Sequence, residues 1–154
     1  RDGVLLDHSG LIISGVASQL ARLKLEGFLL IVVTNQPDIA AKKITIVNLD
    51  RINDNMRLAL PMIDDLYVCP HGDIARCRCR KPKPGMLLEA AGKHGIDLGH
   101  SWMVGDRWRD VSAGKEAGCR TILLGTGYAE AMPIKPDFRA ADMEWAVNII
   151  METG

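Results

Sequence analysis

The sequence predicts a doubly wound α/β fold built on a parallel sheet, and three observations carry that prediction. Short apolar, β-branched runs alternate with helical patterns along the chain. The clearest run, Leu29-Leu30-Ile31-Val32-Val33-Thr34, is apolar on both faces, as a strand between parallel neighbours and under helices on both sides must be. Polar clusters follow three of the runs directly: Thr34-Asn35-Gln36, Cys69-Pro70-His71 and Gly105-Asp106-Arg107. Ligands of open α/β sheets gather beyond the carboxyl ends of the strands, so this repeated placement marks one edge of the sheet as functional.

The elements follow in chain order. Asp2-Gly3 has the look of a loop leaving a strand, and the fold is expected to need a first strand upstream of Arg1. Val16, Leu20 and Leu23 recur at helical spacing, which predicts a helix from Ser14 to Glu26 with its stop at Gly27. The strand Leu29 to Thr34 comes next, then a helix expected from Thr45 to Leu60 and a strand from Asp65 to Val68. Pro84 suits the first turn of a helix running to about His94. Ser101 to Val104 predicts a strand, Arg109 to Ala117 a helix closed by Gly118, and Arg120 to Leu124 a further strand. Ala140 to Met151 reads as the last helix. With no repeat, low-complexity tract or linker, residues 1–154 are expected to form one domain.

Composition narrows the function. The 154 residues are 47% hydrophobic and 25% charged, enough apolar material for a core and too much for a disordered chain. Nineteen basic residues balance nineteen acidic ones, and only 5% of residues are aromatic, so neither the charge nor the stacking platforms of a general nucleic-acid binder are present. No apolar run reaches the roughly eighteen residues of a membrane span, and no leader opens the chain. A cytoplasmic monomer with no nucleic-acid or membrane partner is the expectation.

Two constellations carry chemistry. Asp2, Thr34, Lys81 and Asp106 each fall in a loop or at a strand end. Two carboxylates can hold Mg²⁺, while a hydroxyl and an ammonium can grip phosphoryl oxygens. Taken singly, Asp2 could be a turn residue, Thr34 and Asp106 helix caps, and Lys81 a solvated charge. The second constellation is Cys69-x-His71 followed by Cys77-x-Cys79. Three thiolates and an imidazole suit a closed, tetrahedral and therefore structural Zn²⁺, with free thiols and a surface histidine as the alternative. Cys119 lies apart and reads as a small buried apolar residue. Arg76, Arg78, Arg80, Lys81 and Lys83 place five cations in eight positions beside these ligands.

Four segments together resemble the successive motifs of haloacid-dehalogenase-type phosphatases: Arg1-Asp2-Gly3-Val4, Val33-Thr34-Asn35-Gln36, Arg80-Lys81-Pro82-Lys83-Pro84-Gly85 and Val104-Gly105-Asp106-Arg107-Trp108-Arg109-Asp110. The branch they resemble contains the heptose bisphosphate and histidinol-phosphate phosphatases, with a small zinc-bound loop at about 69–79 instead of a large cap domain. The resemblance implies Mg²⁺-dependent hydrolysis of a small sugar phosphate through an aspartyl-phosphate. Asp2 would be the general acid and base, with its backbone on the metal, and the nucleophilic Asp would stand one residue before Arg1. Thr34 and Lys81 would hold the phosphoryl group, and Asp106, with Asp110 at the outer acidic position, would hold Mg²⁺. Asn35, Gln36, Arg80 and Arg107 would contact substrate, and Cys69, His71, Cys77 and Cys79 would bind zinc. D-glycero-D-manno-heptose 1,7-bisphosphate is the best match; histidinol phosphate and a noncatalytic phospho-ligand module are the alternatives. A 3′-phosphatase of nucleic acid is less well matched, since such enzymes share the Thr34-Asn35-Gln36 portion and lack the zinc cluster.

Overall fold

The computed structural model describes residues 2–7, 15–35, 46–72, 76–125 and 134–153. Six strands form one parallel sheet: β1 (Gly3–Leu6), β2 (Leu29–Asn35), β3 (Asp65–Cys69), β4 (Trp102–Gly105), β5 (Arg120–Leu124) and β6 (Phe138–Ala140). Among the described residues four α-helices connect successive strands, α1 (Val16–Leu25), α2 (Ile46–Ala59), α3 (Gly85–His94) and α4 (Trp108–Ala117), and α5 (Met143–Thr153) follows β6. The order across the sheet is β3-β2-β1-β4-β5-β6. The chain winds outward from β1 in one direction and then, from β4, in the other. The crevice at this switch point, outside the carboxyl ends of β1 and β4, is where such sheets bind ligands.

The strands are apolar on both faces because both faces are covered. Val4, Leu6, Leu30, Val32 and Val104 join Leu20 and Leu23 of α1 and Ala146, Val147 and Ile150 of α5 in one core layer. Leu5, Ile31, Val33 and Met103 face the other way, onto Met86, Leu87 and Ala90 of α3 and Ala113 of α4. Trp102 is fully buried, with the Arg120 guanidinium 4.1 Å from its ring centroid. Helix α4 lies close on the sheet because Gly114 has no side chain: a Cβ there would come within 2.6 Å of Met103 Cβ and 2.8 Å of Thr121 Cγ2.

Two segments differ from their expected form. Gly3, expected in a loop that leaves a strand, opens one: Gly3–Leu6 is β1, in register with Leu29–Val32 on one side, while Val4–Leu6 pairs with Trp102–Val104 on the other. Its four residues are too short to show a period, yet Val4-Leu5-Leu6 supplies the apolar run a central strand needs. The helix expected from Ala140 begins instead at Met143, because Phe138–Ala140 pairs with Ile122–Leu124 as β6 and Asp142 Oδ1 accepts the Trp145 amide at 3.0 Å to open the helix. The other elements stand within two residues of their expected ends. Gly118, at φ 91°, terminates α4 as expected.

Candidate active site

Parallel pairing brings the carboxyl ends of the strands to one edge, and the ends of β1 to β4 deliver polar groups there. Asp7 follows β1, Thr34 and Asn35 end β2, Cys69 ends β3, and Asp106 follows β4. The Asp7 amide donates to the Val104 carbonyl at 3.0 Å, which ties the end of β1 to that of β4.

Lys81 is the hub of this edge. It reaches in from the turn before α3 and is almost wholly buried. Its ammonium donates to Asp110 Oδ1 at 2.6 Å, to the Val33 carbonyl at 3.1 Å and to Asp7 Oδ1. The Asp110 carboxylate also accepts the Arg107 amide on Oδ2 at 3.1 Å, so one side chain caps α4 and holds Lys81. Gly105 leaves room for it: a Cβ at that position would stand 2.2 Å from Asp110 Oδ2. Burial pushes the Asp110 carboxyl up to about 6 against the pull of Lys81. Burial alone would lower Lys81, but Asp110 and Asp7 hold it above its ordinary value. Carboxylate oxygens of Asp7, Asp106 and Asp110 lie within 4.8 Å of one another. Three such oxygen donors beside one ammonium leave an excess of negative charge that suits a hard divalent cation such as Mg²⁺.

The expected site residues are only partly brought together. Thr34, Lys81, Asp106 and Asp110 meet at the carboxyl edge, but Asp2 does not join them. It is exposed at the opposite end of β1, where its carbonyl accepts the Leu29 amide at 3.1 Å. Asp7 occupies the place at the end of β1. Asp2 falls outside this edge because the short strand begins after it; Asp7 shares the position of Thr34 and Asp106, a polar residue at or directly after the end of an apolar run. Asn35 turns its amide to the Lys81 peptide. Arg80 is buried, and its guanidinium donates to the His71 carbonyl at 3.0 Å. Arg107 is exposed at the start of α4, and Gln36 lies outside the described residues.

The second constellation does assemble. Cys69, His71, Cys77 and Cys79 present ligand atoms within 4.8 Å of one another. Cys69 Sγ lies 3.7 Å from Cys77 Sγ, and His71 Nδ1 lies 3.4 Å from the sulfurs of both Cys69 and Cys79. Zn–S bonds of about 2.3 Å at tetrahedral angles set sulfurs about 3.8 Å apart, so the donor set fits zinc in both chemistry and spacing. Burial pushes Cys79 up to about 12; Cys77, against its own burial, is drawn down to about 6 by the Arg80 amide and the neighbouring sulfurs. Cys119 is buried elsewhere, its thiol also pushed up to about 12.

Acidic groups and a buried lysine at the switch point of a parallel sheet define a hydrolase-type site for phosphoryl groups. Comparison with known proteins agrees. Residues 78–146 match the model of the HAD-hydrolase-like family. D-glycero-beta-D-manno-heptose-1,7-bisphosphate 7-phosphatase of Escherichia coli K12 is 36% identical over 172 aligned positions, covering 99% of this chain and 87% of that protein. The enzyme of the same name from Pasteurella multocida is 38% identical, over 82% of this chain and 79% of its own. The crystal structure of D,D-heptose 1,7-bisphosphate phosphatase from Bordetella bronchiseptica, complexed with magnesium and phosphate, superposes with a TM-score of 0.88 at 26% identity, covering both chains fully. The chain belongs to the haloacid-dehalogenase-like hydrolases, in the family of the heptose bisphosphate phosphatases.

Proposed function

We propose that this chain hydrolyses the 7-phosphate of D-glycero-D-manno-heptose 1,7-bisphosphate, using Mg²⁺ at the carboxyl edge and a structural Zn²⁺ in the Cys69–Cys79 loop. The observation that carries the reading is Lys81, buried between Asp7 and Asp110 at the switch point. Similarity to enzymes of that name over nearly the full chain supports the substrate.

A phosphomonoester resists attack because the nucleophile meets anionic oxygens, so the site must supply positive charge and a fixed attacking group. Lys81 supplies a buried ammonium for the phosphoryl oxygens, and Thr34, at the end of β2, a hydroxyl. Asp106, with Asp7 and Asp110, would hold Mg²⁺, whose charge would offset that of the transferred group. A carboxylate oxygen at the end of β1 attacks phosphorus as the P–O bond to the sugar breaks, the departing alkoxide takes a proton from water, and a second water then attacks the acyl phosphate at phosphorus, regenerating the carboxylate and releasing phosphate. The position of Asp7 directly after β1, against the Lys81 ammonium and beside Asp106 and Asp110, supports it as that nucleophile. Arg107, exposed at the mouth, can pair with the second phosphate of the substrate through its guanidinium fork. Arg80, already committed to the His71 carbonyl, braces the zinc loop.

A second reading rests on the motif Arg1-Asp2-Gly3-Val4, which makes Asp2 the general acid and base. The two readings separate cleanly in phosphate-release assays. Asp7→Asn abolishes turnover if the geometry assigns the nucleophile, with Asp2→Asn near wild type. The reverse pattern establishes the motif reading and removes Asp7 from the chemistry.

A further inference from the structure

Lys81 is anchored at two points by a single strand end. Asn35 Nδ2 donates to the Lys81 carbonyl at 3.1 Å, and Asn35 Oδ1 accepts the Lys81 amide at 3.0 Å. The side-chain amide thereby pairs with both groups of one residue, as a neighbouring strand would, across 46 positions of sequence. Two residues earlier on β2, the Val33 carbonyl accepts the Lys81 ammonium at 3.1 Å. The tripeptide Val33-Thr34-Asn35 therefore holds Lys81 by main chain and by side chain, with Thr34 between the two holds.

The turn that carries Lys81 is closed by the Lys83 amide on the Arg80 carbonyl at 2.9 Å and the Gly85 amide on the Arg78 carbonyl at 3.0 Å, bonds that engage the residues on either side and not the Lys81 peptide itself. This turn lies between the zinc-ligand segment ending at Cys79 and the start of α3. A turn lacks the ladder that fixes a strand, and Lys81 must nonetheless hold its ammonium to a fraction of an ångström for phosphoryl transfer. Asn35 was expected to contact substrate. Its amide oxygen and one Nδ2 hydrogen pair with the Lys81 peptide.

We infer that Asn35 is a positioning residue for the reaction: its amide pairs with the Lys81 peptide and sets where the Lys81 ammonium meets the transferred phosphoryl group. This inference rests on the phosphatase reading only for its effect on rate, since the pairing itself is independent of any substrate.

Two measurements on the full chain test it. Hydrogen exchange at the Lys81 amide should accelerate at least about tenfold in Asn35→Ala, which removes the acceptor, while amides of Leu30–Val32 stay protected. Asn35→Asp keeps an acceptor oxygen and should leave the Lys81 amide protected, which also controls for a general loosening of the fold. In p-nitrophenyl phosphate hydrolysis, Asn35→Ala should lower kcat about tenfold or more with KM within about threefold, the signature of a misplaced catalytic group and not of a lost substrate contact. Unchanged exchange at Lys81 in Asn35→Ala overturns the inference, as does a raised KM with kcat intact. A wild-type chain that releases no phosphate would instead count against the phosphatase reading, and the exchange result alone would then decide the role of Asn35.

Discussion

Replacing Gly105 with alanine tests the carboxyl edge through a single methyl group. The added Cβ would stand 2.2 Å from Asp110 Oδ2, 2.4 Å from its Cγ and 2.5 Å from its Cβ. Non-bonded carbon contacts lie at about 3.5 Å, so Asp110 has to withdraw by about 1 Å. It cannot do so and keep both the Lys81 ammonium at 2.6 Å and the Arg107 amide at 3.1 Å. A hydrogen bond to a charged group contributes about 1.5–3 kcal/mol and a cap about 1 kcal/mol, which places the loss near 3 kcal/mol. For a chain of this size that is a fall of about 6–12 °C in Tm. Displacing Lys81 by a comparable distance should also cost about a hundredfold in kcat. Urea denaturation followed by circular dichroism measures the first effect and phosphate-release kinetics the second. Gly92→Ala is the control: its Cβ enters open space on α3, and the better helix former should be neutral or stabilising. Gly105→Ala within about 1 kcal/mol of wild type, with normal kcat, would refute the close packing of Asp110 under Gly105.

Other outcomes follow from the same geometry. Asp106→Asn should leave the urea midpoint unchanged while reducing Mg²⁺-dependent turnover by about a hundredfold or more; near-wild-type rates would exclude Asp106 from the metal site. Metal analysis of the purified chain should find one zinc per molecule, and Cys79→Ser should lose it and lower Tm. Protein free of zinc, with an unshifted Tm in the variant, would contradict the zinc assignment. At acid pH, Asp65 supplies a separate check. Burial works to raise its carboxyl, but hydrogen bonds with His94, the Leu66 amide and Lys93 hold it at about 2, below the ordinary 3.8. Because the folded value is depressed, its contribution is present above about pH 4 and is lost as the pH falls toward 2. Asp65→Asn should flatten stability across that window by about 1–2 kcal/mol, a figure reduced for solvent screening, and an unchanged acid limb would count against the pairing.

The residues at the carboxyl ends of β2, β3 and β4 were legible because a parallel sheet buries both faces of its strands. Any polar group directly after an apolar run there stands out, and Thr34, Cys69 and Asp106 did. The Cys69, His71, Cys77 and Cys79 cluster was legible from spacing alone, since a histidine and three cysteines within eleven positions have few uses other than holding a metal. What escaped was contact between distant segments. Nothing in the local pattern around Lys81 says that it will be buried between Asp7 and Asp110, 74 and 29 positions away. Asp110, which the resemblance sets at the outer acidic position, also caps the start of α4; that it holds Lys81 as well depends on Gly105 letting the helix approach. β1 and β6, at four and three residues, are too short for periodicity to register, so their existence rests on pairing with longer neighbours.

Initial rates of phosphate release from D-glycero-β-D-manno-heptose 1,7-bisphosphate and from histidinol phosphate, each with and without Mg²⁺, test the central claim most directly. The account predicts strictly Mg²⁺-dependent release and a kcat/KM for the heptose bisphosphate at least about a hundredfold higher, since only that substrate offers Arg107 a second phosphate. Equal or faster turnover of histidinol phosphate, or release that does not depend on Mg²⁺, would contradict it.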